Sequence, residues 1–443
     1  MTSGYRHRTL NLGEVCELRA GSVFKPDFQG RAAGKYPFIK VSDMNLAGNE
    51  IWITTANHWI DESAREVLKA KPFPAGTTVF AKIGEAIKQN RLRLLSRETV
   101  IDNNMMGAIP NCTIVDPRYF YYALSQFDFS SIASGTALPY LTVSDLSKLE
   151  LPIPTLGEQR DVAGVVSALD DKIELNRRLS ETLEAMAQAL FQSWFVDFDP
   201  VRAKASGEAP ESICQRLGLT PELLALFPDR LVESELGEIP EGWATASTGQ
   251  ISEVGIGKTP PRKEPEWFSD DPRHYRWISI RDMGQSDAFA RRSSETLTPA
   301  AIERFNIRRI PDYTVLLSFK LTIGRLAITD GEMTTNEAIA HFKLDMETPV
   351  TTEFLYFYLN RFDFDRLGST SSIAEAINSR MIRELPVLVP PSDLINAFSS
   401  QAGGFLKSIK EIGRQTDSLI QVRDTLLPKL LSGQVAVPTV GDR

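Results

Sequence analysis

The chain carries one layout twice, which limits its folds more than any single motif does. "PFIKVSDM" (Pro37 to Met44) lines up with "RWISIRDM" (Arg276 to Met283), and "FAKIG" ending at Gly84 with "KLTIG" ending at Gly324. "DNNMMGAI" (Asp102 to Ile109) matches "TNEAIAHF" (Thr335 to Phe342), and "RYFYYALSQFDF" (Arg118 to Phe129) matches "EFLYFYLNRFDF" (Glu353 to Phe364). Order and spacing both persist, with offsets between 233 and 240 residues. A period of that size predicts two similar domains and not a solenoid.

Each copy runs into a long helical stretch. From Leu156 to Phe195 there is no proline, and Leu169, Ile173, Asn176, Leu179, Leu183, Met186, Leu190 and Trp194 follow at steps of three or four. A helix of about forty residues is roughly 60 Å long, so it needs a partner along its length. Asn176 on that stripe is the kind of residue that fixes register in a coiled coil. The partner is expected near the C-terminal end, where Phe405, Ile409, Ile412, Thr416, Leu419 and Leu426 follow at heptad-like spacing and Pro428 and Gly433 mark the close.

Between the helices, "YPFIKV", "TTVFAKIG", "RWISI" and "TVLLSFK" read as strands, while "PRYFYYALSQF" and "TEFLYFYLNRF" read as helices. Each domain is therefore expected to be α+β with a mostly antiparallel sheet, Tyr119, Phe120, Tyr122 and Leu124 lying in the core. The expected boundaries are a first domain over 1–155, a helix over 156–200, a connecting segment over 201–240, a second domain over 241–390, a second helix over 391–435 and a tail over 436–443. No apolar run reaches eighteen residues and the start lacks the apolar core of a signal peptide, so a cytoplasmic protein with no membrane association is expected. Cys16, Cys112 and Cys214 are far apart and odd in number, which suits reduced thiols; the four histidines form no ligand spacing.

The net charge of −8 argues against a nucleic-acid binder until it is divided. Residues 1–155 hold 17 basic and 15 acidic residues, and residues 241–390 hold 18 and 21, whereas residues 156–240 hold 8 and 16. The acid sits on the first helix and its tail, leaving phosphate affinity to local clusters. "AKIGEAIKQNRLRLL" supplies Lys82, Lys88, Arg91 and Arg93, with the last two on one face of a strand. "GIGKTPPRKEPEWF" supplies Lys258, Thr259, Arg262 and Lys263 on a loop; Arg281, Lys320 and Arg325 complete the second set. Lys82 and Lys320 recur at comparable places, and such side chains track phosphates or read base edges.

No catalytic constellation is visible. "GIGKTP" has a misplaced first glycine and prolines where a P-loop helix must start. No Asn/Asp-Pro-Pro-aromatic stretch of an adenine methylase is present, and "PDYTVLLSFK" carries Ser318 where a metal-dependent nuclease needs a carboxylate.

With "LPIPTLGEQRDVAGVVSALDDKIELNRRL", "LFQSWFVDFDPVRAK" (Leu190 to Lys204), "SELGEIPEGW" (Ser234 to Trp243), "GKTP" (Gly257 to Pro260) and "LLPKLLSGQV" in this order, the chain resembles the specificity subunit of a type I restriction-modification system over essentially its whole length. That resemblance implies a non-catalytic subunit whose two target-recognition domains each contact one half of a split site in double-stranded DNA, and whose two long helices pack antiparallel as a spacer. It implies two DNA methyltransferase subunits as partners, holding S-adenosylmethionine and modifying adenine, and a translocating endonuclease subunit using ATP and Mg²⁺; no cofactor is implied for this chain. Docking is expected along the helices, with Trp194, Phe195 and Phe198 available to a partner. The first domain departs from its copy at "AGSVFKPDFQGRAAG" (Ala20 to Gly34), which lacks the Gly-Lys-Thr-Pro of the second. A two-domain DNA-binding scaffold or regulator working without a methyltransferase would share the duplication, and a single-chain restriction and modification enzyme would need methylase motifs that are missing.

Overall fold

The computed structural model describes residues 8–135, 138–235, 237–345, 347–364 and 377–437. The chain divides into two compact units, Met1–Ile173 with Ser418–Arg443, and Glu174–Asp417.

In the first unit a five-stranded sheet has the spatial order Cys16–Ala20, Met105–Pro110, Thr78–Ala81, Leu92–Leu95 and Trp52–Ile53. The first three pairings are antiparallel and the last is parallel. Tyr36–Ile39 lies in a smaller sheet, antiparallel to Trp59–Ile60 and parallel to Val100–Ile101. Arg8–Asn11 pairs antiparallel with Glu150–Ile153, tying the start of the domain to the strand that leads into the long helix.

The second unit has a counterpart to each of these strands and adds Phe268–Ser269 to the smaller sheet. Its five-stranded sheet runs Glu253–Ile256, Ile339–Lys343, Val315–Ser318, Leu326–Thr329 and Phe289–Ala290, again with only the last pairing parallel. Tyr275–Ile278 is antiparallel to Glu295–Leu297 and parallel to Thr334–Thr335, and Ala244–Ser247 closes against Pro386–Val389. The duplication expected from the repeats is thus a duplication of topology and of pairing sense.

The helices at "PRYFYYALSQF" and "TEFLYFYLNRF" form as expected, and local chemistry explains where they start. Asp116 accepts from the backbone N–H groups of Arg118 and Tyr119 ahead of Pro117–Ser125, with proline at the first position. Thr351 accepts from Phe354 N–H ahead of Thr352–Arg361. Tyr119, Phe120, Tyr122 and Leu124 are buried in the first core, with Phe80, Met106 and Phe129.

Two helices of 40 residues, Leu156–Phe195 and Ser392–Leu431, follow the two domains. Thr155 and Glu158 form a capping box at the first, each side chain bonding the other's backbone N–H (3.4 and 2.9 Å). In the second unit the two helices run antiparallel: Asn176 meets Gln415 and Thr416, while Trp194 packs on Phe398. In the first unit Val162, Ala163 and Val166 pack with Leu427, Leu430 and Leu431, and buried Asp170 binds Arg423 at 2.8 Å and the Tyr122 hydroxyl at 2.6 Å.

The seam differs from the expected stripe. Asn176, Ser180, Ala187, Phe191 and Trp194 are buried and Leu183 is half-buried, whereas Leu179 and Met186 are 45% and 50% exposed. An α-helix turns 100° per residue, so successive steps of three from Asn176 drift off the seam and a step of four to Ser180 restores it. Leu175, 57% exposed, joins Leu179 and Met186 in an outer apolar stripe. Ile173, Leu190, Phe405, Ile412, Leu419 and Leu426 are half-buried, and Ile409 is fully buried.

A second correction concerns Trp194, Phe195 and Phe198. All three are buried by their own unit: Trp194 stands edge-on to Phe227, and Phe195 and Phe198 pack on Trp243. The segment after the helix covers them because it folds into short helices, Asp199–Ala205, Pro210–Leu217 and Pro221–Ala225, each with proline in its first turn, followed by a hairpin of Leu231–Ser234 with Gly237–Pro240. Residues 438–443 of the expected tail lie outside the described residues.

Candidate nucleic-acid interface

The central strand of each five-stranded sheet, Thr78–Ala81 or Val315–Ser318, ends at a basic loop. The neighbouring strands fix the register: Thr78 lies opposite Leu94, itself opposite Trp52, as Val315 lies opposite Ile328, itself opposite Phe289. The offset in the central strands is therefore 237 residues, so Lys82 corresponds to Phe319 and Lys320 lies one residue beyond the expected place. Two backbone bonds agree with this: Lys82 N–H donates to Asn104 O at 2.9 Å, and Phe319 N–H to Ala338 O at 2.9 Å. Lys82 is the first residue after its strand and Lys320 the second after its own, so both lie on the loop that leaves the central strand.

The loops after them differ in length. Gly84 follows Lys82 by two residues and Gly324 follows Lys320 by four. Both glycines have positive φ, +81° and +85°, which a residue with a Cβ adopts only under strain. They turn the chain back toward Glu85–Gln89 and toward Leu326–Thr329. In the second loop Gly324 N–H donates to Ser318 O at 2.9 Å, Ser318 Oγ donates to Thr322 O at 2.6 Å and accepts from Arg325 N–H at 3.0 Å.

The eleven predicted basic and polar residues fall into two sets. Six are held by the protein itself. Arg93 is half-buried, its guanidinium donating to Met44 O at 2.9 Å, and burial lowers its pKa; it clamps a loop instead of lining a polar strand face. Lys88 pairs with Glu85, and Lys258 Nζ donates to the carbonyls of Phe305 and Asn306, closing the C-terminal end of Pro299–Phe305. Thr259 bonds Glu337, and Arg262 pairs with Glu295 while stacking at 4.6 Å over Trp277. Arg325 Nη1 donates to Ile280 O at 2.7 Å.

The other five, Lys82, Arg91, Lys263, Arg281 and Lys320, have no hydrogen bond or ion pair to their side chains among the described residues, and all but half-buried Lys82 are exposed. A cation without an internal partner loses nothing when it meets a phosphate, so these five are the chemically available ones. Sequence reasoning missed the apolar residues among them. Leu321 is 96% exposed beside Lys320, and Leu138, 62% exposed, places its Cδ1 3.7 Å from where a Gly84 side chain would begin. The shift of offset from 238 at the lysines to 240 at the glycines is the sequence trace of the longer approach to the second glycine.

No group of three or more His, Cys, Asp or Glu residues able to hold a metal is found among the described residues, and no helix among them is long and apolar enough to cross a membrane.

Two copies of one α+β domain, each with a basic loop at its central strand and each followed by a long helix, define a duplicated recognition scaffold. The chain belongs to the type I restriction modification DNA specificity domain family, whose model matches residues 8–185 and 240–394, one match per repeat. It is 28% identical to the type I restriction enzyme HindI specificity subunit of Haemophilus influenzae, over 89% of this chain and 96% of that protein. The MjaIX specificity subunit of Methanocaldococcus jannaschii is 24% identical over 96% of this chain and 92% of its own. In three dimensions the fold is similar to the type I restriction-modification S subunit from M. genitalium, with a TM-score of 0.55 at 14% identity over 97% of both chains.

Proposed function

We propose that this chain is the DNA-reading subunit of a type I restriction-modification complex, in which each domain reads one half of a split site in double-stranded DNA. The observation that carries this is that the loop after the central strand of each domain bears a lysine whose side chain has no hydrogen bond or ion pair among the described residues, Lys82 in one and Lys320 in the other, on a chain of the specificity family. Lys82 and Arg91 serve the first half-site, and Lys263, Arg281 and Lys320 the second. The long helices set the gap between the half-sites. Their outer apolar stripe of Leu175, Leu179 and Met186 receives a methyltransferase subunit: three exposed apolar side chains on one face, at spacings of four and seven, suit a partner helix. S-adenosylmethionine, ATP and Mg²⁺ belong to the partner subunits in this reading, and the reaction with them.

Co-expression with the methyltransferase subunit encoded beside this chain, followed by long-read mapping of adenine methylation, tests the proposal. One split motif with a fixed gap is the expected result. A stable complex that binds S-adenosylmethionine and leaves no methylation would favour a scaffold of another kind.

A further inference from the structure

The exposed leucine at the tip of the second reading loop has no role within its own unit. Leu321 is 96% exposed, the most exposed of the large apolar side chains among the described residues, and its backbone sits at φ +63°. Left-handed backbone is unfavourable for a residue with a Cβ, and a bare leucine gains nothing from water. A glycine or asparagine would serve the turn better. The loop nevertheless braces this conformation from beneath: Thr322 N–H donates to Lys320 O at 2.7 Å, and the Ser318 hydroxyl bridges Thr322 O and Arg325 N–H. Arg325 in turn is anchored on Ile280 O, in the short helix Ile280–Met283 that carries exposed Arg281. Ile323, 45% exposed, stands two residues on. The result is a stiff apolar point beside Lys320.

An apolar side chain held out beside cations matches a duplex, whose phosphates attract the flanks while its base steps accept the point. We infer that Leu321 is a wedge that inserts at a base step of the second half-site and unstacks it, so that the deformability of that step contributes to recognition. This rests on the DNA-reading function proposed above. The first domain supplies the counterpart by another route: its glycine follows the lysine by two residues and not four, and Leu138, reaching Gly84 from the segment whose Pro139 carbonyl accepts from Gly84 N–H at 2.8 Å, stands near Lys82.

The test uses the full chain in complex with its methyltransferase subunits, at one fixed salt concentration, on a duplex bearing the mapped site. L321A is expected to weaken site binding at least about tenfold while changing binding to unrelated duplex less than about twofold. L321M is expected to retain most of the affinity. Single mismatches stepped through the second half-site pre-unstack one base step each, and one of them is expected to restore most of the loss in L321A. L138A should show the same pattern for mismatches in the first half-site only. Undiminished binding by L321A overturns the wedge, and so does a loss that no mismatch relieves. If L321A instead releases the methyltransferase subunit while DNA binding persists, the leucine is a protein contact and the inference fails. Wild-type complex that prefers no sequence at all would remove the proposed function itself, a result distinct from each of these. Leu321 makes no burying contact that its loss would take from the fold, and thermal melting of each variant verifies this.

Discussion

Asn176, 1% exposed, donates from Nδ2 to Gln415 Oε1 at 2.9 Å and to Thr416 Oγ1 at 3.2 Å, joining the two long helices inside the second unit. An amide buried in a helix seam is costly when unpaired, and a shift of either helix by one turn would take both partners away. N176A is therefore expected to destabilise the unit by about 1–2 kcal/mol in urea unfolding. N176L fills the same volume with apolar atoms and should fall within about 1 kcal/mol of wild type, yet the methylation map should return more than one gap length. A single unchanged gap in N176L would end the register role.

Gly413 lies on the second helix where a methyl group would meet the guanidinium of Arg291 at 2.2 Å. Arg291 uses this space to pair with Asp287 at 2.5 Å and to lie 3.6 Å from Asp417, binding the domain to its helix. Alanine is the better helix former by about 1 kcal/mol, so helix propensity alone predicts that G413A stabilises. The contact predicts the opposite, a loss of about 1–3 kcal/mol from displaced, buried charge. The double variant with R291A discriminates: the two losses should be strongly non-additive, and simple additivity would show that Gly413 matters for another reason.

Asp330 is 5% exposed and receives both Arg414 at 2.6 Å and Lys410 at 3.3 Å, while Arg414 keeps 54% of its side chain in water. The two ends of this pair are not equal. D330A removes the buried carboxylate that both cations share, although Lys410 keeps Asp312 at 3.0 Å, and should destabilise the unit clearly. R414A leaves Lys410 on Asp330 and should destabilise it less, because Arg414 is screened by solvent. Equal losses in chemical denaturation would contradict this asymmetry.

His341 is buried beside Gly255, and burial, with Arg308 nearby, pushes its pKa down to about 4 from the ordinary 6.5. The unfolded chain therefore takes up a proton between these values that the folded one refuses. Stability on this account is fully present above about pH 6.5, falls as the pH drops toward 4, and flattens below; the total is on the order of 3 kcal/mol. The first domain carries a glycine at the equivalent register, Gly107, opposite Arg19 as His341 is opposite Gly255, and H341A removes the imidazole while keeping a Cβ. The variant is expected to lose absolute stability through a cavity but to lose the slope between pH 4 and 6.5 as well. An unchanged slope would assign the acid limb to other groups.

The repeats exposed the architecture in advance because a strand and its neighbours must keep spacing to pair, so topology survives in offsets even where side chains change. Asn176 was legible for a similar reason, as a polar residue interrupting an apolar period. Leu179 and Met186 were not, because the first helix bears two apolar stripes and hydropathy does not say which one faces the second helix. The basic residues divided on contacts far away in sequence: Met44 lies 49 residues from Arg93, and Phe305 lies 47 residues from Lys258. Charge and spacing carry no information about such partners. Trp194 and Phe195 failed as partner contacts because the helices between Asp199 and Ala225 were read as a bare connection, although prolines at 200, 210 and 221 were available as first-turn signals.

The helices themselves carry the last prediction. If they set the gap, a matched insertion of four residues in each, placed away from Asn176 and Gln415, lengthens the pair by roughly 6 Å, a little under two base pairs at about 3.4 Å each. Four residues turn a helix by about 400°, so the seam returns to within about 40° of its face and the pair can still close. Methylation mapping should then show both half-sites unchanged and the gap one or two base pairs longer. K82A, read in the same assay, should degrade only the first half-site, and K320A only the second, which separates loss of reading from loss of spacing. Unchanged spacing in a folded insertion variant would show that something other than helix length fixes the gap.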